Sequence, residues 1–387
     1  MIGRGGLRHL TTRPKRWAAL ALVVGSTLIL GACSDAQNNG QNPLRPNGPA
    51  AEKIDNLFVP IFWIAVTVGV FVLAGVVFVA FRYRYREGKN ENPKQIHGST
   101  PLEIGWTIIP AVLLAIIAVP TIKTIFDLQE APAAGTALEV TVVGKQWWWE
   151  FKYKEAKVVT ADELVIPTGT PVRIRLSSCE DTLPGECNVI LSFWVPELAG
   201  KTDVVPGRDN HMNIEADDPG TYLGQCAEYC GLSHANMRFR VIAKTRADFD
   251  QWIEEQQQGP AVPFVESDGS TPAGPAQELI ATKFACTNCH ELNDPAQASY
   301  GPNLVHLASR TTFASGYYQL TRSNLIDWVL NAPSMIPMQS KVCRETTPAA
   351  DNECVGMPSF TEDTPAGDPV MTRAEAEQIA DYLLELK

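Results

Sequence analysis

Two stretches of this 387-residue chain carry side chains that bind soft metals. The first runs Cys226-Ala227-Glu228-Tyr229-Cys230-Gly231-Leu232-Ser233-His234-Ala235-Asn236-Met237. It brings two thiols, an imidazole and a thioether into one short segment, a donor set of the type copper prefers. Two cysteines alone would read equally well as a disulfide, with His234 and Met237 on a surface loop; the full spacing favours metal. The second stretch is Cys286-Thr287-Asn288-Cys289-His290. Cys-x-x-Cys-His is the attachment signature of a c-type haem, in which both thiols add to porphyrin vinyl groups and the histidine ligates iron. On five residues alone a redox-active dithiol is the rival reading. An electron-carrying haem also needs a sixth ligand, and a thioether there raises the potential. Met357, in Gly356-Met357-Pro358-Ser359-Phe360, is the candidate, with Met335 and Met338 as rivals. His306 reads as a surface residue.

These stretches must be held outside the reducing cytosol or be bound to metal, because the chain has nine cysteines. The N-terminus indicates export. Arg13, Lys15 and Arg16 precede an uncharged run from Trp17 to Leu30, followed by Gly31-Ala32-Cys33. A basic segment, an apolar run and small residues before a cut point form a secretory signal. A cysteine directly after them resembles a bacterial lipobox, which implies cleavage before Cys33 and a lipid anchor on it; an uncleaved signal anchor is the alternative. Residues 1–32 are then a signal peptide and 33–57 a tether rich in Asn, Gln, Pro and Gly.

Two further runs, Phe58 to Phe81 and Ile104 to Ile122, are uncharged and long enough to cross a bilayer. Between them lie Arg82, Arg84, Arg86, Lys89 and Lys94, so the loop is expected to be cytoplasmic and both chain ends external. Residues 58–125 thus read as a two-helix transmembrane hairpin. Charged residues are 19% of the chain, below the roughly 25% of soluble proteins. The net charge of −11 argues against a nucleic-acid partner.

From Leu138 to Lys244 the sequence alternates short β-runs with turns, for example Leu138–Val143, Pro171–Leu176 and Phe239–Ala243, which predicts an all-β domain over 137–253. Residues 254–275 lack apolar periodicity and read as a linker. Helical spacing from Gln277 to Phe284 and from Thr372 to Leu386 predicts an all-α domain over 276–387.

Together these features resemble subunit II of cytochrome c oxidase. The resemblance covers the signal, both spans, Gln146-Trp147-Trp148-Trp149-Glu150-Phe151, Ser192-Phe193-Trp194-Val195-Pro196 and the Cys226–Met237 loop. It implies a cupredoxin-like barrel holding a dinuclear CuA copper centre. In it Cys226 and Cys230 bridge the metals, and His234, Met237 and the Glu228 carbonyl are further ligands. The Glu228 carboxylate would help to bind magnesium shared with subunit I. Trp147 would be exposed near copper as the residue where electrons enter. Strand alternation puts it on the same face as Trp149. Glu103 would mark the mouth of a proton path into subunit I.

One position departs from the family pattern. A copper-ligating histidine directly precedes Ser-Phe-Trp-Val-Pro in the family, and here Leu191 stands there. His211 is the other nearby histidine, read as structural or as a replacement ligand. The C-terminal region resembles a class I cytochrome c, with Gly301-Pro302-Asn303-Leu304 at the family distance after His290. Two cysteine pairs are left over, Cys179/Cys187 and Cys343/Cys354, each around a polar insertion. They most economically form disulfides, with other pairings open.

The function implied is that of a cytochrome-c-fused electron-transfer subunit of a haem–copper oxidase. Electrons from an upstream donor would pass from haem c through copper to subunit I, where oxygen is reduced and protons are translocated. The alternatives are a free-standing membrane-anchored electron carrier, a copper-free quinol-oxidase subunit II and a copper-delivery protein.

Overall fold

The computed structural model describes residues 40–84, 95, 97–178, 189–265, 274–340, 354–361 and 369–387. The expectations that fall on Cys33, the signal segment, most of the loop between the spans, Cys179, Cys187, Cys343 and the side chain of Cys354 lie outside the described residues. The chain divides into two compact units, Met1–Asn42 and Pro43–Lys387, and the second carries every helix and strand of the described residues.

Helices α1 (Pro49–Arg82) and α2 (Thr100–Gln129) are long and apolar enough to cross a membrane. Phe71, Val72, Ile109 and Val119 are all exposed, and a helix apolar all round its circumference is shaped for lipid. At about 1.5 Å per residue, α1 is longer than a hydrocarbon core of roughly 30 Å requires. The excess is N-terminal, and it corrects the expected tether. Residues 49–57 are already helical, and Ala51 is buried. The N–H groups of Asn47 and Ala51 donate to the carbonyls of Glu197 (2.8 Å) and Leu198 (3.1 Å). Pro49 at the start costs no hydrogen bond, because the first helical N–H has no partner within the helix.

The β-domain has two five-stranded sheets. One contains β1 (Leu138–Lys145), β2 (Trp148–Tyr153), β3 (Val158–Ala161), β5 (Val172–Ser177) and β8 (Asn210–Ile214), in the order β3-β2-β1-β5-β8. The other contains β4 (Glu163–Pro167), β6 (Leu191–Trp194), β7 (Thr202–Val204), β9 (Gly220–Cys226) and β10 (Arg238–Lys244), in the order β4-β10-β9-β6-β7. In β10 exposed Arg238 and half-buried Arg240 and Ile242 alternate with buried Phe239, Val241 and Ala243, the period-2 pattern of a strand covering a core. The core centres on Trp149, Phe151, Phe193 and Phe239, with the last two stacked at 4.4 Å. As expected from the resemblance, the architecture is cupredoxin-like.

Beyond it, α3 (Arg246–Gln256) overlaps the start of the expected linker, and Phe264 is buried in the C-terminal core, so 254–265 is not a free tether. The C-terminal part has a one-turn α4 (Pro275–Glu278) continued by a wider turn to Lys283, then α5 (Arg322–Met335) and α6 (Arg373–Leu383). Two short ladders join them, β11 (Thr312–Phe313) with β12 (Tyr318–Gln319) and β13 (Gln339–Ser340) with β14 (Cys354–Val355), so this part is not purely helical. Leu325, Ile326 and Val329 of α5 join Ala376, Ile379 and Leu383 of α6 in its core. His306, expected at the surface, is only 6% exposed, with Nε2 2.9 Å from the Gln258 carbonyl.

The C-terminal part sits on the end of the first sheet. Val159 N–H donates to the Pro295 carbonyl (2.7 Å) and Lys145 Nζ to that of Ser299 (2.7 Å). Asp162, also buried there, accepts the N–H groups of Trp149 (3.0 Å) and Ser315 (3.1 Å). Burial outweighs these donors and pushes its carboxyl up to about 7. The folded chain therefore holds this proton more tightly than the unfolded chain. The site's contribution to stability is full below the ordinary carboxylate pKa and is lost as pH rises through about 7. The change is of order 4 kcal/mol. The apparent Tm of the β-domain should fall between pH 5 and pH 8, and Asp162→Asn should flatten that slope. An unaltered slope in the variant would assign it to other groups.

Candidate metal centres

Strand β9 ends at Cys226, and the chain then loops back over the sheet before β10 begins at Arg238. Met237 O accepts the Cys226 N–H (2.9 Å), which closes the loop and brings its donors together. Cys226 and Cys230 are buried free thiols with their sulfurs 3.6 Å apart. Cys230 Sγ lies 3.7 Å from His234 Nδ1 and 3.7 Å from Met237 Sδ, and Cys226 Sγ is 3.1 Å from the Glu228 carbonyl. The ligand atoms of Cys226, Cys230 and His234 all fall within 4.8 Å of one another. Such separations suit ligands of one roughly tetrahedral ion, each about 2.3 Å from it for sulfur. The contact couples the two thiols: the hydrogen bond between them draws Cys226 down and raises Cys230. A cavity of about 490 Å³, bordered by Cys226, His234, Trp194 and Ile54 of α1, opens beside the cluster. The arrangement fits copper by donor type and by access.

The remaining site candidates divide. Strand β6 pairs Phe193 with Cys226, and Ala227 N–H donates to the Ser192 carbonyl (2.9 Å). Continuing that register sets Leu191 level with Glu228, on the core-facing side shared with Phe193. Leu191 is fully buried, so an apolar side chain occupies the place beside the ligand loop. His211 is not brought to the cluster. It is exposed on β8 in the other sheet, paired with Arg175. The Glu228 carboxylate is exposed and accepts the Tyr229 N–H (3.0 Å). Glu103 lies in the first turn of α2 and is exposed.

Trp147 corrects two expectations. Strand β2 begins only at Trp148, so Trp147 lies in the preceding turn and the alternation argument does not reach it. It is also buried, at 7% exposure, rather than exposed. Its indole Nε1–H donates to the Cys230 carbonyl (3.0 Å), joined there by Gln146 Nε2 (2.8 Å), while its own carbonyl accepts the Ser315 hydroxyl. The role of Gln146 carried no local signal, because its partner is 84 residues away.

In the second stretch, a 3-10 turn spans Cys286–Asn288, and His290 N–H donates to the Cys286 carbonyl (2.9 Å). With three residues per turn, positions i and i+3 eclipse, which stacks Cys286 and Cys289 on one side. Both are free, half-buried thiols kept protonated by burial, which pushes Cys286 up to about 12 and raises Cys289. His290 Nδ1 is 2.7 Å from the Pro302 carbonyl. A carbonyl accepts only, so Nδ1 carries the proton and Nε2 keeps the lone pair needed by iron. Gly301 leaves room for this ring, since a Cβ there would lie 2.6 Å from His290 Cε1. Met357 is half-buried and packs on the same core as Cys286, whereas Met338 packs on the β-domain core. Met357 N–H donates to Met338 Sδ (3.2 Å), and Met335 ends α5 with its carbonyl accepting the Tyr318 hydroxyl (3.0 Å). Two thiols, an imidazole oriented by the Pro302 carbonyl and a thioether on the core that Cys286 joins are the donor types a covalently attached haem would need.

Comparison with known proteins converges on one family. The model of the cytochrome c oxidase subunit II transmembrane domain matches residues 37–124, and that of its periplasmic domain matches residues 159–244. Cytochrome c oxidase subunit 2 of Alkalihalophilus pseudofirmus is 37% identical over 314 residues, 80% of this chain and 86% of that protein. The protein of the same name in Bacillus subtilis is 31% identical over 342 residues, 84% and 91% of the two chains. Quinol oxidase subunit 2 of Bacillus cereus is 34% identical over 248 residues, 62% of this chain and 81% of its own. An alignment spanning 80% of this chain extends across Cys286 to His290, and one spanning 62% need not.

Proposed function

The chain belongs to the cytochrome c oxidase subunit II family, and from that membership we propose that it carries electrons from a haem c on its C-terminal part, through copper in its β-domain, to subunit I. It is an electron-transfer subunit of a haem–copper terminal oxidase, anchored in the membrane by α1 and α2 beside subunit I. When bound, haem and copper supply the one-electron carriers. The chain's own residues decide how those groups are held. Cys226, Cys230, His234, Met237 and the Glu228 carbonyl would hold copper. Trp147 and Gln146 brace the ligand loop at the Cys230 carbonyl. Cys286 and Cys289 would attach haem, and His290 and Met357 would ligate its iron. Because donor and acceptor belong to one chain, effective concentration replaces diffusional encounter. Glu228 is assigned the magnesium shared with subunit I, and Glu103 the mouth of the proton path.

The observation that carries this reading is the convergence of Cys226, Cys230 and His234 with Met237 on one buried point. The quinol-oxidase alternative shares the scaffold but has no use for such a cluster. Metal analysis and an optical spectrum of the purified complex test it. Copper together with haem c is expected, whereas a copper-free complex that oxidises quinol would establish the alternative.

The assigned topology places residues 82–100 in the cytoplasm, residues 126–387 outside and a lipid on Cys33. Asn90→Cys and Val265→Cys, in a background with accessible native thiols removed, should react oppositely with an impermeant thiol reagent on intact cells. Labelling at both positions would rule out two spans.

A further inference from the structure

The contact between the β-domain and the C-terminal part contains more buried polar chemistry than two domains joined by a tether require. Asp162 and Glu163 are adjacent, and both are 4% exposed. Glu163 Oε1 accepts four donors from one turn of the C-terminal part: the N–H groups of Thr311 (3.0 Å) and Thr312 (2.9 Å) and both their hydroxyls. Asp162 Oδ2 accepts the next one, Ser315 N–H. Ser315 then donates its hydroxyl to the Trp147 carbonyl and accepts the Arg238 N–H (3.2 Å). That last bond fills the strand edge left open where β4 starts at Glu163, since Arg240 is the first β10 residue paired with β4.

The turn is bent for this purpose. Ala314, Ser315 and Gly316 have φ of 53°, 58° and 67°, three successive left-handed residues of which only the glycine adopts that form freely. Gly316 also lies with its backbone against that of Phe239, where a Cβ would be 3.5 Å from Phe239 Cα. Strained backbone of this kind persists where its surroundings over-determine it. Around it, the Arg238 guanidinium stacks over the Tyr317 ring (4.8 Å), and Lys145, ion-paired with buried Glu150 (3.9 Å), reaches the Ser299 carbonyl on the other side of the Trp147 turn.

We propose that Asp162 and Glu163 are a docking latch for residues 311–316, which fixes the C-terminal part over the Trp147 turn and closes that face of the ligand loop to any other protein electron donor. The identity of the donor and acceptor groups rests on the function proposed above; the latch itself does not. Five hydrogen bonds from one turn to two buried carboxyl groups fix orientation as well as adding affinity, so the geometry is a docked state and not one pose among many. The latch residues are positioning and specificity-determining, since Trp147 is the side chain that joins this face to the Cys230 carbonyl.

The test uses the full chain in its purified complex. In the unaltered chain, hydroxyl-radical footprinting should label Trp147 as slowly as Trp149, and the amides of Thr312 and Ser315 should be protected from hydrogen exchange. Labelling of Trp147 at the rate of an exposed ring, or exchange of those amides as in a free loop, would overturn the latch. The combined variant Thr311→Val, Thr312→Val, Ser315→Ala removes two hydroxyl bonds to Glu163 and one to the Trp147 carbonyl, and should raise Trp147 labelling by at least about tenfold while Trp149 stays protected. No rise, with Trp149 protected, would refute the proposal. If Trp149 is labelled as well, the variant has unfolded, and exchange in the unaltered chain decides.

Stopped-flow mixing with a reduced soluble mono-haem cytochrome c tests the consequence. In the unaltered complex copper should be reduced only after the attached haem, and with the latch opened a copper phase should precede it. Direct copper reduction in the unaltered complex would refute the closed face. Footprinting and exchange need neither metal, so a failed haem or copper assignment leaves them unmoved.

Discussion

Leu191→His is expected to raise the copper content of this chain from about one ion towards two and to sharpen a mixed-valence signal. The expectation follows from which donors are present. Cys226, Cys230 and His234 converge with Met237, and the Glu228 carbonyl lies beside Cys226, so one ion finds thiolates and an imidazole. A second ion would share the thiolates but lack a nitrogen donor. Leu191, level with Glu228 in the extended β6–β9 register, fills that place with a side chain that can neither ligate nor hold a water. His211 cannot supply the ring, because it is exposed on the opposite sheet. The variant also has a stability signature. An imidazole replacing fully buried Leu191 is costly without a partner, about 1–3 kcal/mol. Added copper at a hundredfold over its Kd would return about 2.7 kcal/mol. The copper-free variant should therefore melt below the parent chain, and copper should reverse the order. An unaltered chain that already binds two coppers tightly, with a normal mixed-valence spectrum, would refute the argument.

The second large effect is expected at the Cys-x-x-Cys-His stretch. Denatured chain should keep its haem stain, because thioether bonds outlast the fold, and Cys289→Ala should abolish or sharply reduce that retention. Full retention would contradict attachment at this site. Met357→Leu should keep the stain but change the spectrum and lower the potential, as loss of a thioether ligand does. An unchanged spectrum would move the ligand to Met338 or Met335. The structure favours Met357, since it packs on the same core as Cys286 while Met338 leans on the β-domain.

Much of this was legible along the chain because the information is local. The Cys226–Met237 loop and the Cys286–His290 stretch are each confined to a few consecutive residues, so their spacing alone pointed to metal and haem chemistry, whereas Met357 stands far along the chain from His290. The two spans declared themselves because lipid tolerates no charge over some twenty residues. Their ends were less legible. The α1 helix starts nine residues before the apolar run at Phe58, because its first turns are held by the carbonyls of Glu197 and Leu198, remote in sequence. Phe264 likewise turned an apparent linker into core through contacts that no local pattern announces.

The sequence by itself determined the donor types of the two short segments and the two apolar spans, all properties of side-chain chemistry and short-range order, and set beside the family pattern it disclosed the missing imidazole at Leu191. Only the tertiary structure decided that Trp147 is buried, that His211 lies on the wrong sheet and that Asp162 and Glu163 grip a turn about 150 residues further on. The physical reason is that a strand's pairing partner and a buried carboxylate's donors are chosen by the whole packing, and sequence distance carries no record of that choice.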